Sequence, residues 1–160
     1  MASRLDNYSS LILVRHGQSI YNLENRFTGW KDVELTQLGF EEANQAGQLL
    51  KSVILHYAFT SKLKRAKDTL DIILKHNKSN PIINKDIALN ERDYGDLIGQ
   101  NKNEAAMKFG KDQVHIWRRS FDTPPPNGES LEMTYDRTIP YFIKKILPLI
   151  INKNIIISAH

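Results

Sequence analysis

Two short apolar runs constrain this chain more than any other feature. Leu11-Ile12-Leu13-Val14 opens into Arg15-His16-Gly17, and Ile155-Ile156-Ile157-Ser158 opens into Ala159-His160. Each is too short for a helix and too continuously apolar for a strand with one wet face. Each therefore reads as a strand buried on both faces that ends in a loop. Such strands belong in parallel sheets, whose neighbours are joined by helical crossovers.

The intervening sequence supplies those crossovers. Thr36 is placed to cap a helix from about Leu38 to Ser52, in which Leu38, Ala43, Ala46, Leu49 and Leu50 recur near helical spacing and Glu41 and Glu42 lie in the first turns. Tyr57–Thr60 reads as a strand, Leu63–Leu74 as a helix, and Pro81–Ile83 as a third strand. Glu104–Phe109 reads as a short helix stopped by Gly110. Three consecutive prolines make Thr123–Gly128 a loop, because they remove donors and fix φ. Glu129–Ile150 reads as a helix that Pro140 and Pro148 kink or interrupt, before Ile155–Ser158 closes the chain as the fourth strand. The expected fold class is α/β, three layers with a mostly parallel central sheet and helices on both faces.

At 160 residues, 41% hydrophobic and 25% charged, the chain suits a single domain spanning 1–160, and it shows no repeat or linker. It has no cysteine, which excludes disulfides, thiolate metal sites and thiol nucleophiles and fits a reducing, cytoplasmic compartment. Its apolar runs fall far short of the roughly 20 residues of a spanning helix, and Met1–Ser10 is too polar for a signal peptide. The net charge of +4 comes from lysines scattered along the chain, without a basic run or interleaved aromatics. Neither nucleic acid nor membrane is an expected partner; small anions are.

Ligands of open α/β sheets sit beyond the carboxyl ends of the strands, where both His16 and His160 fall. A neutral imidazole is a competent nucleophile toward phosphorus, and a neighbouring guanidinium such as Arg15 neutralises phosphoryl oxygens. Gly17 leaves the backbone room for a phosphoryl group to come close. By residue type alone, His16 reads equally well as an ordinary polar strand end, Glu91 as a surface carboxylate paired with Arg92, and Arg118-Arg119 as helix-surface charges.

A longer set of motifs separates these readings. LILVRHGQSIYNLENRFTGWKDVELTQLG, FTSKLKRAKDTL, LNERDYGDLIGQNKNEAAMKFG, WRRSF, TPPPNGESL, RTIPYF and IIISAH occur in one order over nearly the whole chain. The order and content resemble the cofactor-dependent phosphoglycerate mutases of the histidine phosphatase superfamily. RHGxS marks only the superfamily, whereas ENRFTGW, ERDYGDLIGQNK and WRR mark the mutases.

The resemblance implies His16 as phosphoryl acceptor, Arg15 and Arg65 as grips on the phosphoryl group, His160 as the second histidine, and Glu91 as general acid and base. It places Asn22, Thr28, Gly29, Arg92, Asp93, Tyr94, Lys102, Arg118 and Arg119 around a phosphoglycerate. It also implies priming by 2,3-bisphosphoglycerate, no metal, exchange of 2- and 3-phosphoglycerate through phosphohistidine in glycolysis and gluconeogenesis, and the family's common homodimer. The competing readings are an inactive remnant of such a mutase, a histidine-type phosphatase and, from another class, a non-enzymatic binding module.

Several features depart from the family pattern. Gln18 stands where many members have Glu, Tyr21 where many have Trp, and the chain is short between Pro126 and Glu129, which implies a smaller loop over the site. Family members continue past the histidine matched by His160 into a turn, a helix and further sheet. On this reading, phosphate-facing N–H donors are missing, a terminal carboxylate lies beside the phosphate site, and Ile155–Ile157 loses cover and exposes a face or edge. The expectation is a marginal, self-associating chain whose activity is in doubt.

Overall fold

The computed structural model describes residues 9–160. Most of Met1–Ser10, read above as lacking a signal peptide, lies outside them. Four strands, β1 (Leu11–Arg15), β2 (Tyr57–Thr60), β3 (Ile82–Lys85) and β4 (Ile155–Ala159), form one parallel sheet in the order β1-β4-β2-β3. The helices are α1 (Ile20–Leu23), α2 (Gln37–Leu50), α3 (Lys64–His76), α4 (Lys102–Phe109), α5 (Lys111–Arg119) and α6 (Leu131–Tyr141). None of the described helices is long and apolar enough to cross a membrane.

The sheet is covered on both sides, as expected. Ala58 and Ile156 face α2 and α3 and pack with Leu55, Leu70 and Ile73, while Phe59, Ile155 and Ile157 face the opposite way onto Leu89, Ile146, Tyr141 and Phe142. Pleating alone accounts for this division, since neighbouring residues of a strand point to opposite faces. A third cluster of Phe27, Leu97, Ala105 and Val114, flanked by Tyr94 and Trp117, fastens α4 and α5 beside the sheet.

Two expectations about strand burial change. Ile155–Ile157 does not lose its cover, because β4 is central, hydrogen-bonded to β1 on one side and β2 on the other, with all three side chains buried. β1, expected to be buried on both faces, is an edge strand whose inner face (Ile12, Val14) packs on the α2–α3 layer while Leu13 is 71% exposed. The helical layer on the opposite face covers β2 and β4 but stops short of β1.

The helix expected over Glu129–Ile150 is also subdivided. α6 runs through Pro140, then widens into a π-helical turn at Phe142–Ile146 and tightens into a 3-10 turn at Leu147–Leu149. Pro140 lacks the N–H that would continue the ladder, and a π turn is one way to absorb the gap. α5 was not anticipated: Gly110, at φ +89°, ends α4 and begins α5. Thr36 caps α2 as expected, accepting from the Gly39 N–H.

Candidate active site

The carboxyl ends of three adjacent strands deliver His16, His160 and Ser61 to one rim of the sheet. The two imidazole rings lie edge to face with centroids 5.1 Å apart. Nδ1 of His16 is 2.7 Å from the Gly17 carbonyl, which only an N–H can satisfy, so Nδ1 carries the proton and Nε2 keeps its lone pair. Burial, reinforced by the guanidinium groups of Arg65 and Arg15, pushes the His16 pKa down to about 4 against the opposing pull of that carbonyl bond. The ring is thus neutral and nucleophilic at pH 7.

Gly17 lines one wall of the site and also meets a packing need. A Cβ there would collide with the backbone of Gly39 in α2, and one on Gly39 would collide with Gln18. The two glycines let the first turn of α2 press against the loop, where Thr36 also bonds Gln18 through its N–H and hydroxyl. The Gly17 N–H donates to Thr69 of α3, closing the loop from the other side.

His160 holds Ser61 Oγ through Nε2 at 2.8 Å. The Ser61 oxygen already accepts from the Leu63 N–H, so its hydroxyl hydrogen is available for the imidazole. Nδ1 of His160 is buried without a partner, an arrangement that an incoming anionic oxygen would satisfy. Burial, followed by Arg65, His16 and Arg15, holds this histidine far below its ordinary pKa in the absence of an anion.

Arg65, near the start of α3, is fully buried and links these parts. Its Nε donates to His16 Nε2 at 3.3 Å, and its Nη2 donates to the Gly29 carbonyl at 2.9 Å and to the Glu91 carboxylate at 2.6 Å. Burial raises the Glu91 pKa, with Arg65, Arg15 and Lys102 opposing. A carboxyl whose charged form is disfavoured by burial is a better proton donor than an exposed one.

Two cavities meet at Arg15 and His16. One, about 470 Å³, is walled by Gln18, Asn22, Glu42, Thr69 and Lys102, and the other, about 550 Å³, by Glu91, Arg92, Tyr94, Arg118, Arg119 and His160. Burial and the nearby charges of Arg118 and Arg15 lower the Lys102 pKa, with Glu91 opposing. Such crowding of cations is stabilised by an anion, and planar guanidinium groups recognise carboxylate and phosphate bidentately.

The description "Histidine phosphatase superfamily (branch 1)" matches residues 11–160. The chain belongs to this superfamily. It is 54% identical over 154 residues to the 2,3-bisphosphoglycerate-dependent phosphoglycerate mutase of Nitrobacter winogradskyi, covering 94% of this chain and 74% of that protein. It is equally similar, at 54% over 155 residues, to the protein of that name from Bradyrhizobium diazoefficiens. The chain therefore spans about three quarters of the length of these relatives. In fold it is similar to the phosphoglycerate mutase of Bacillus anthracis (TM-score 0.78, 24% identity, 97% of this chain and 76% of that one). It is likewise similar to a mycobacterial glucosyl-3-phosphoglycerate phosphatase (TM-score 0.84, 24% identity, 95% and 75%).

Set against this superfamily's chemistry, most residues singled out in the sequence converge: Arg15, His16, Asn22, Glu91, Arg92, Tyr94, Lys102, Arg118, Arg119 and His160 line the two cavities, and Arg65 braces them from beneath. Thr28, Gly29 and Asp93 do not line either cavity. Thr28 is buried, Gly29 takes φ +53° and offers its carbonyl to Arg65, and Asp93 caps the Gly95 N–H. Glu91 pairs with Arg65, not Arg92. Arg92 instead bonds Tyr94 Oη and the Arg118 carbonyl, leaving its buried Nη1 without a partner. Arg118 and Arg119 end α5 and line the cavity, Arg118 half-buried and Arg119 exposed.

Ser61, Thr69, Trp30, Glu129 and Arg137 fall inside the quoted motifs, but the sequence assigns them no role, because their roles depend on contacts between distant segments. His16, Glu91 and His160 offer ligand atoms within 4.8 Å of one another, a spacing that suits a metal ion. The Arg65 N–H on the His16 lone pair and the neighbouring Arg15 make this place better matched to an anion.

Proposed function

We propose that this chain interconverts 2-phosphoglycerate and 3-phosphoglycerate, with His16 as the transient phosphoryl carrier and 2,3-bisphosphoglycerate as primer. The observation that carries the reading is the placement of Arg118 and Arg119 in the same 550 Å³ cavity as His16. A plain phosphatase needs charge around one phosphate. A mutase must also hold the acceptor's carboxylate and second phosphate while water is kept away. The buried nitrogens without partners, His160 Nδ1 and Arg92 Nη1, fit that ligand's surplus of oxygens, the imidazole donating once protonated.

The primer supplies the phosphoryl group that first loads His16. The chain's own groups account for the rest. His16 Nε2 attacks phosphorus while the Gly17 carbonyl steadies the Nδ1 proton, and Arg15 and Arg65 take up the charge on the equatorial oxygens. Glu91 protonates the departing oxygen and, on return, receives the proton of the attacking hydroxyl. Arg118, Arg119 and Lys102 hold the glycerate end in either orientation. With this reading go a cytoplasmic location, no metal requirement and a homodimer as the working assembly.

Intact-mass analysis after exposure to 2,3-bisphosphoglycerate, under conditions that preserve phosphohistidine, tests the proposal. One phosphoryl group on His16, lost in His16→Ala, followed by conversion of 3- to 2-phosphoglycerate faster than phosphate release, is expected. Folded protein that acquires no phosphoryl group would sink it, and phosphate release without isomerisation would replace mutase by phosphatase.

A further inference from the structure

Glu91 sits in an irregular stretch. It follows the 3-10 turn Ile87–Leu89 and precedes another at Gly95–Leu97, so no helix or strand ladder holds its backbone. Irregular backbone beside a cavity needs some other support if a carboxyl is to stay in register with a nucleophile.

The support comes from α6. Arg137 Nη1 donates to the carbonyls of Ile87 (3.3 Å) and Ala88 (2.9 Å), and its Nη2 donates to those of Asn90 (3.1 Å) and Glu91 (3.0 Å). The same guanidinium is held from behind by Glu129, Nε to Oε1 at 2.8 Å and Nη2 to Oε2 at 2.8 Å. Glu129 Oε2 also accepts the Asp93 N–H at 2.9 Å, and the Glu129 N–H donates to the Asp93 carbonyl at 2.9 Å. Thr138, next along α6, donates its hydroxyl to Ala88. Both ends of the stretch bearing Glu91 are thereby tied to one ion pair.

Two further observations bear on what this pair does. Every N–H of the Arg137 guanidinium has an internal acceptor and Arg137 does not line either cavity that meets at His16, so it has nothing left to offer a substrate. Trp30 donates Nε1 to the same Glu91 carbonyl at 2.7 Å and lies with its ring 5.6 Å from the Arg137 guanidinium carbon. Glu91's carbonyl is gripped by two donors while its carboxylate faces Arg65.

We infer that Arg137, seated on Glu129, is a positioning residue that holds the Glu91 carboxyl in register with His16, an inference that rests on reading Glu91 as the proton donor. A guanidinium is needed because its fork reaches four carbonyls and a carboxylate at once, and an ammonium group cannot. Burial pushes Glu129 up, but its bonds to Arg137 and Asp93 outweigh this and keep it ionised.

The test compares wild type with Arg137→Lys and Glu129→Gln. It reads the Glu91 carboxyl titration by carbon-13 NMR alongside kcat and KM for phosphoglycerate exchange. Loosening the stretch should let water reach the carboxyl, so the Glu91 midpoint falls toward the ordinary carboxylate value. Turnover should drop about tenfold to a hundredfold with KM within about threefold, as for misplacement of a catalytic group. Losses in kcat that merely track the folded fraction, with the Glu91 midpoint unmoved, would overturn the inference.

If either variant fails to fold, hydrogen exchange in the wild type decides. Amides of Leu89, Asn90 and Asp93 should be protected as well as those of α6, and free exchange there overturns the clamp. A wild type that never phosphorylates His16 refutes the proposed function alone, because the Glu91 titration and the exchange pattern still report on the clamp.

Discussion

Arg65 Nε–H donates to Nε2 of His16 at 3.3 Å, so the nitrogen proposed to carry the phosphoryl group already bears a donor. Arg65 is placed to exchange that long bond for a phosphoryl oxygen, which frees the lone pair at the moment of need. Lysine keeps the charge but not the fork that also holds Gly29 and Glu91. Arg65→Lys should slow phosphohistidine formation at least about a hundredfold, the scale of a lost oxyanion donor. Arg65→Met should also lower stability by about 3 kcal/mol, since it leaves Glu91 without its buried partner. Rapid-quench phosphorylation and urea unfolding measure the two effects.

The depressed His16 pKa has a stability consequence with a definite sign. The folded state titrates near 4 and the unfolded chain near 6.5, so between those values the unfolded state binds the extra proton. The contribution is fully present above about pH 6.5 and is lost as pH falls through about 4, roughly 3 kcal/mol in total. Urea unfolding of wild type should lose stability across this window, and His16→Phe should lose less, the remainder coming from His160, which burial also holds far below its ordinary pKa. Equal losses in both proteins would reject the assignment.

The same depressed imidazoles make anion binding a proton-uptake reaction. An oxyanion beside His16 and His160 favours their charged forms, countering burial and Arg65. Calorimetric titration of inorganic phosphate near pH 6 in buffers of different ionisation enthalpy should show net proton uptake, abolished in His16→Ala/His160→Ala. A heat independent of buffer would show that phosphate binds elsewhere.

The architecture and most of the candidate site were legible in the sequence, for a physical reason. Strands followed by His16 and His160 announce themselves as apolar runs, and Arg65, Glu91 and Arg118 lie in local motifs. Contacts that join distant segments leave no local trace. Arg137 meets Glu91 across 46 positions, and nothing in its helix marks that face. β1 was misread because Leu11 and Leu13 are as apolar as Ile12 and Val14, so composition could not reveal that only one face is covered. α5 prints no clear helical period because it fully buries Val114 alone, with Trp117 only partly covered.

Gly39 is a packing requirement read directly from geometry. A methyl group at this position would strike the Gln18 backbone, which lies two residues after His16 and has no flexible end to yield. Gly39→Ala gains helix propensity in α2, yet overpacking should dominate and cost about 1–3 kcal/mol. Because the displaced segment carries His16, phosphorylation should slow as well. A variant as stable and as readily phosphorylated as wild type would mean that α2 shifts freely over the loop.

Leu13 tests whether the open edge of the sheet is sticky. Its side chain is 71% exposed on β1, Leu11 on the same face is 36% exposed, and the β1 edge away from β4 is unpaired among the described residues. An apolar edge strand of this kind templates association unless a charge guards it. Leu13→Lys should therefore reduce concentration-dependent self-association in sedimentation velocity while changing stability by no more than about 0.5 kcal/mol, as an exposed position allows. Ile12→Lys supplies the contrast. Its side chain packs against the α2–α3 layer, so the same charge there should unfold the chain. A wild type that remains monomeric at every concentration would show that the β1 edge does not drive association.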